Sequence, residues 1–326
     1  MAIRTPLLIA AAILVIGGLF AMVLPEYYLR LLNLSAIAAV AVIGLNFAFG
    51  YAGLISLGHA AFVGMGSYRL AILTTTCGWS PWLAAPAAIV ATAVLAALIG
   101  YPLLRLRGHY LALATLGLNV SFYIVTSNWI ALTGGTNGIA RIPELTIGPL
   151  AFSGEHRFLC LALVVLAAVA VASAMLHASR HGREMMAVRD DEIASEMIGI
   201  DTTRVKITAF VLSALCAAIA GCLFALHVRF VSPEDFSYAH SITYLAMLIV
   251  GGEGTIIGAI LGAVLLTFLP EWLRFLGTAY LFFFGVLMLC ILVFLPTGLV
   301  GLGRRLRRRP RKTASSATIR ASEATP

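Results

Sequence analysis

The sequence predicts an all-α, polytopic integral membrane protein with about ten (8 to 10) transmembrane helices, on three observations. Of 326 residues, 61% are hydrophobic and 11% charged, and mean hydropathy is +0.99; a soluble fold would lack the polar surface to cover such a chain. Apolar runs of about 20 residues, the length that crosses roughly 30 Å of hydrocarbon, recur along nearly the whole sequence. These runs lack the short alternation of barrel strands, and lipid offers the backbone no hydrogen-bond partners, so they are expected to be helices.

Taken in order, helices are expected near 6–24, 31–49, 54–75, 82–104, 109–130 and 157–178. A charged loop follows at about 180–206, then helices near 206–229, 239–251, 255–270 and 278–298. The first run, Pro6 to Leu24, follows a single arginine and lacks a small-x-small cleavage site before Pro25, so it is retained as a membrane helix rather than a leader. GGEGTIIG interrupts the stretch from Ser241 to Leu269, which reads as two short or re-entrant helices. The other polar interruption, TGGTNGIARIPELTIGPL at 133–150, has the glycines and prolines of a broken helix or an external re-entrant loop.

Counting crossings from Arg4 inside places Arg105 and Arg107, the 180–206 loop and the C-terminal tail inside, and the 131–156 segment outside. Basic residues at the N-terminus, the 105–107 turn and the tail agree with the positive-inside rule. The loop is not itself basic, having five basic residues and six acids, so its side follows from the count. An odd number of crossings over 239–270 would put the tail outside, which favours an even number there.

The net charge of +8 does not indicate nucleic acid. Residues 304–326 carry eight Arg or Lys and one acid, Glu323, and a basic run beside a last membrane helix is a cytosolic anchor against anionic lipid. The expected organisation is a membrane domain over 1–303 and a basic, disordered tail over 304–326. The five cysteines form no CxxC pair and suggest neither metal nor disulfide.

The loop carries the chemistry expected of a docking element. EMMAVRDDEIASEMIGI, 184–200, reads as one short helix ended by Gly199. On a helical wheel, Met186, Ala187, Ile193, Ala194, Met197 and Ile198 share an arc, with Arg189, Glu192 and Glu196 away from it and Met185 and Val188 outside it. Such a helix either covers the ends of its neighbours or seats apolar knobs in a groove on a partner. The two lysines, Lys206 and Lys312, lie in no GxxxxGK[ST] sequence, so no phosphate cradle is present and any ATP would be hydrolysed by another chain.

Several ordered motifs then carry a resemblance over about Asn46 to Gly301. They are GYAGLISLGHAAFVGMGSY (50–68), LRGHYLALATL (106–116), LTGGTNGI (132–139), GREMMAVRDDEIASEMIGI (182–200), KITAFVLSALCAAIAGCLFA (206–225), VGGEGTIIGAILGA (250–263) and LPTGLVG (295–301). The sequence resembles the permeases of branched-chain amino-acid ABC importers, specifically the larger of the two paired types. The crossing count puts both termini on the cytosolic side, and the resemblance implies a multi-pass protein of the bacterial inner membrane. It implies a heterodimer with a second permease, two cytosolic ATPase subunits, a periplasmic substrate-binding protein, and no cofactor on this chain, ATP being used by the partners. It also implies an EAA-type motif, E-A-A-x-x-x-G, seated in the ATPase. Here Ile193, Ala194, Ser195 and Gly199 align with it, and Glu192 stands one place before the motif's glutamate. Arg189, Glu192, Ile193, Ala194, Ser195, Met197 and Gly199 are thus the expected coupling residues.

Ionisable or polar groups within membrane segments are costly, about 2.5–3.5 kcal/mol for a central charge on insertion scales, and invite a functional reading. Asn46, Ser56 and His59 around one glycine-rich turn, and Thr136 and Asn137 outside, are the candidates for the substrate path. Each has a bland alternative: a water-facing helix end for His59, a helix bridge for Ser56, an ordinary turn for Thr136 and Asn137. Glu253 between two glycines is expected to bond nearby amides at a helix break. Scattered histidines without HExxH, and the lack of GxSxG, argue against an enzyme. A urea or short-amide ABC permease remains a substrate alternative. An ion-coupled secondary transporter is the mechanistic rival, weakened by the scarcity of acids and histidines within the spans.

Overall fold

The computed structural model describes residues 4–106, 108–147, 150–151 and 154–275, with 282, 285–286, 289 and 298–301. Arg107, most of the predicted helix at 278–298 and the tail at 304–326 lie outside the described residues. The described chain is helical apart from two short antiparallel strand pairs. In order, α1 is Arg4–Val23, α2 Glu26–Asn46, α3 His59–Thr75, α4 Pro81–Leu103, α5 His109–Asn128 and α6 Ile130–Thr133. They are followed by α7 Glu155–Ala178, α8 Arg180–Asp190, α9 Glu192–Met197, α10 Thr202–Val228, α11 Tyr238–Gly251 and α12 Ile256–Trp272. Among the described residues, six helices are long and apolar enough to cross a membrane: Pro6–Val23, Glu26–Tyr51, Pro81–Leu103, His109–Asn128, Glu155–Ala178 and Thr202–Val228.

The centre is α2 against α10. Residues Ser35 to Asn46 of α2 are buried all round, as expected of a helix apolar on every face. On α10, Ser213, Ala217, Gly221 and Ala225 form a buried stripe of small residues, the pattern that lets membrane helices approach backbone to backbone. A Cβ at Gly221 would sit 2.0 Å from the Val63 carbonyl of α3, and one at Gly66 of α3 would sit 2.5 Å from the Ala218 carbonyl. Ser67 Oγ donates to the Gly221 carbonyl at 2.7 Å across the same seam. α4 applies its own stripe of buried small residues, Ala84, Ala88, Thr92, Ala96 and Gly100, to this centre, and exposes most of its remaining surface.

Two elements depart from continuous spans. α2 runs on through a π-helical turn, Phe47–Tyr51, after which residues 52–58 are not helical; the expected helix at 54–75 therefore begins only at His59. α11 and α12, of 14 and 17 residues, fold back on each other through a break at 252–255. A Cβ at Gly251 would meet the Gly258 carbonyl at 1.9 Å, and one at Gly262 the Met247 carbonyl at 1.9 Å, so the two backbones are antiparallel and in contact. At roughly 1.5 Å per residue each is shorter than the hydrocarbon core. The pair returns the chain to the end from which it came.

The end opposite the charged loop is fastened by polar contacts. Ile139–Ala140 pairs with Phe230–Val231, Arg229 Nη1 meets Glu144 Oε1 at 2.6 Å, and buried Asn33 donates to the Glu155 carboxylate at 2.7 Å.

Candidate functional site

The stretch read from periodicity as a single helix over 184–200 is divided between two helices, α8 and α9. Ser179 caps α8 by accepting from the Gly182 amide at 3.3 Å. At Asp191 the backbone becomes extended, with φ −155° and ψ 111°, and its carboxylate takes the Ala194 amide at 3.0 Å to start α9. An aspartate that bonds a local amide in preference to propagating a helix is the physical cause of the break. Gly199, at φ +86°, supplies the left-handed turn out of α9 that the sequence implied. Asp201 then caps α10 through the Arg204 amide at 3.1 Å.

The wheel's apolar arc is also corrected. Met185 and Val188, placed outside it, are the buried apolar side chains of α8 at 1% and 4% exposure, whereas Ile193, Met197 and Ile198 are 66%, 84% and 75% exposed. The break at Asp191 rotates α9 relative to α8, so one wheel cannot describe both. What remains is a short helix presenting three bare apolar side chains on an otherwise charged segment.

That helix is tied to what lies beneath it. Glu192 Oε2 meets Lys206 Nζ at 2.6 Å, Lys206 being 8% exposed, and Glu196 Oε1 accepts from Thr202 at 2.8 Å. Ser195 is buried and donates to the Asp191 carbonyl at 2.7 Å. Ala194, though on the same short turn, is exposed.

Arg189 faces the other way, into the membrane domain. Its Nη1 donates to the Gly50 carbonyl in the π-helical turn, and its Nη2 meets Glu253 Oε1 in the α11–α12 break at 2.6 Å. Asn46 completes the knot, its Oδ1 accepting from the Gly254 amide at 2.8 Å. A Cβ at Gly50 would overlap that Asn46 oxygen, so close approach requires glycine there. Glu253 thus binds a guanidinium rather than the nearby amides, because Asn46 already occupies one of them. Beside this knot a cleft of about 210 Å³ lies between residues 52–55, Gly108, Leu111, Val188–Glu192 and Lys206.

The residues proposed for a path do not share one place. Ser56 is buried near the loop end, within 3.4 Å of the Gly58 amide. His59 is 1% exposed, with Nε2 2.8 Å from the Ala41 carbonyl and Nδ1 3.4 Å from Ser213 Oγ; it is a satisfied interior side chain. Thr136 and Asn137 are exposed in a turn at the opposite end. Sequence reasoning missed Lys206 as the partner of Glu192 and Glu253 as that of Arg189. The charge complementarity was visible, but only the fold brings positions 64 residues apart together.

A family profile described as branched-chain amino acid transport system / permease component matches residues 27–292. The chain is 34% identical over 317 residues to the high-affinity branched-chain amino acid transport system permease protein LivM of Salmonella typhimurium, covering 90% of this chain and 74% of that one. It is 33% identical to the LivM of Escherichia coli, covering 91% and 75%. With the high-affinity branched-chain amino acid transport system permease protein LivH of Escherichia coli it shares 27% identity, covering 82% and 92%. No solved structure matches the chain.

Proposed function

Given that this chain belongs to the permease components of branched-chain amino acid transport systems, we propose that it is the membrane-spanning subunit of an ATP-binding-cassette importer for leucine, isoleucine and valine. Its partners are a second permease, two cytosolic ATPases and a periplasmic binding protein, and the membrane is the bacterial inner membrane with the 180–206 segment cytosolic. The observation that carries this reading is the exposure of Ile193, Met197 and Ile198 on a helix anchored to α10. Three bare apolar side chains on a charged segment outside the hydrocarbon form a patch that a partner groove buries.

The mechanism is alternating access. ATP binding closes the partner ATPases and displaces α9. Glu192–Lys206 passes that displacement to α10, and Arg189 passes it to the helix breaks at Gly50 and Glu253. The path opens outward to receive substrate, and hydrolysis resets it. The chain supplies the path and the lever, and the phosphate chemistry belongs to the ATPases.

The test replaces Ile193 and Met197 together by Asp. Exposed positions tolerate substitution within about 0.5 kcal/mol, so insertion should persist while the ATPases no longer co-purify and substrate-stimulated ATP hydrolysis disappears. Full stimulation in that variant overturns the docking assignment. Uptake by the two permeases alone, under an imposed ion gradient without ATP, would instead establish an ion-coupled transporter. Calorimetry of the cognate binding protein with leucine, isoleucine, valine and urea decides the substrate.

A further inference from the structure

The start of α3 is held shut by side chains from three directions. The amide of Leu57 donates to Thr115 Oγ1 of α5 at 3.0 Å, that of Gly58 to Ser56 Oγ at 3.4 Å, and that of Ala60 to Ser241 Oγ of α11 at 2.9 Å. Asn119 of α5 then donates through Nδ2 to the same Ser241 oxygen at 2.7 Å. Thr115, Asn119 and Ser241 are each 0% exposed.

Two features of this cluster point to an occupant. Asn119 Oδ1 is buried with no hydrogen-bond partner among the described residues, as is the Tyr68 hydroxyl further along α3. An unpaired buried amide oxygen is destabilising unless something satisfies it in another state. Two cavities also touch α5, one on each side of the cluster along the helix. The cleft at the loop end reaches α5 at Leu111. A second cavity of about 460 Å³ is lined by Val120, Tyr123 and Ile124 of α5 with Glu234, Ser237 and Tyr238. Nine residues of α5, roughly 14 Å of helix, separate Leu111 from Val120, and Thr115 and Asn119 lie between them.

We propose that Thr115, Asn119 and Ser241, closed on the first turn of α3, are the constriction of the translocation path and the site where the headgroup of a free α-amino acid is bound in passage. The three amides held by hydroxyls form an anion site at the positive end of a 17-residue helix. A carboxylate displaces the Ser241 and Thr115 hydroxyls from them, and the unpaired Asn119 oxygen accepts from the ammonium. In the state described here the hydroxyls stand in for the carboxylate, and the three buried side chains line neither cavity. The headgroup assignment rests on the proposed amino-acid substrate; the position of the constriction does not.

The test uses the complete transporter in proteoliposomes, with this chain's five native cysteines replaced and Ser241→Cys introduced. A small hydrophilic thiosulfonate should fail to label S241C at rest and label it when ATP and loaded binding protein drive turnover, while a cysteine at buried Ala88 of α4 stays unlabelled in both conditions. Leucine uptake by Asn119→Ala should fall at least tenfold with the complex still assembled. If S241C does not assemble, Thr115→Cys gives the same readout. A transporting complex in which the cysteine stays unlabelled in every state overturns the path, and N119A uptake at the wild-type rate overturns the headgroup site. If the unmodified complex carries no leucine, the proposed substrate fails, and the labelling still decides the path.

Discussion

Removing Arg189 should damage transport far more than removing its ionic partner Glu253, although both changes break the same salt bridge. The two side chains are 34% and 41% exposed, so solvent screens their attraction and the pair contributes roughly 0.2–1 kcal/mol. Arg189 also donates to the Gly50 carbonyl, and a hydrogen bond from a charged group to a part-buried acceptor contributes about 1.5–3 kcal/mol. Glu253→Ala is therefore expected to weaken the junction by at most about 1 kcal/mol. Arg189→Ala should weaken it by about 2–3 kcal/mol, with 1.4 kcal/mol corresponding to a tenfold change. If this junction transmits motion, substrate-stimulated ATP hydrolysis by the reconstituted complex should drop no more than about fivefold for E253A and on the order of thirtyfold or more for R189A. A double-mutant cycle should return a coupling energy within the ion-pair range. The charge swap R189E/E253R should recover only part of the loss, because a glutamate cannot donate to the Gly50 carbonyl. Equal damage from the two single variants, or strict additivity in the cycle, would refute the reasoning.

Three further outcomes are expected. Gly199→Ala forces a Cβ into a left-handed turn at φ +86°, costing about 1–2 kcal/mol; insertion should persist and substrate-stimulated hydrolysis should be lost, measured on the purified complex. Glu192→Lys places a second cation against the nearly buried Lys206, so stimulation should collapse, and the swap E192K/K206E should restore a substantial part of it. Gly221→Val drives a side chain into the Val63 carbonyl and should abolish a monodisperse peak in detergent, whereas Gly117→Ala, with open space around it, should leave the elution profile unchanged.

Several helix ends were legible to the residue, though the starts expected at 31 and 54 are observed at Glu26 and His59. Expected ends at 104, 178 and 251 lie within a residue of the observed Leu103, Ala178 and Gly251, because an apolar run and its polar flank are local properties. The 184–200 stretch was legible as a charged, glycine-ended segment between apolar helices but not as two helices. Asp191 could be read as polar, yet whether an aspartate extends a helix or caps the next one depends on which amide it can reach. The surroundings of the interior polar residues were less legible for the same reason. His59 stood out as ionisable, and the fold shows it satisfied by Ala41 and Ser213. Asn119 and Ser241 did not stand out, being ordinary polar residues until α5 and α11 press them onto α3.

The sequence by itself determined that this chain is a membrane protein, where its apolar runs lie, and which family its ordered motifs resemble. Each of these is a property of one segment, additive along the chain. Only the tertiary structure decided which faces of those helices are interior, because in lipid the outward face is as apolar as the inward one and periodicity loses its meaning. It also decided that Arg189 reaches Gly50, 139 residues away, and that the bare side chains of the loop are Ile193, Met197 and Ile198. Those pairings depend on two helix breaks meeting at one point, a geometry that no single segment encodes.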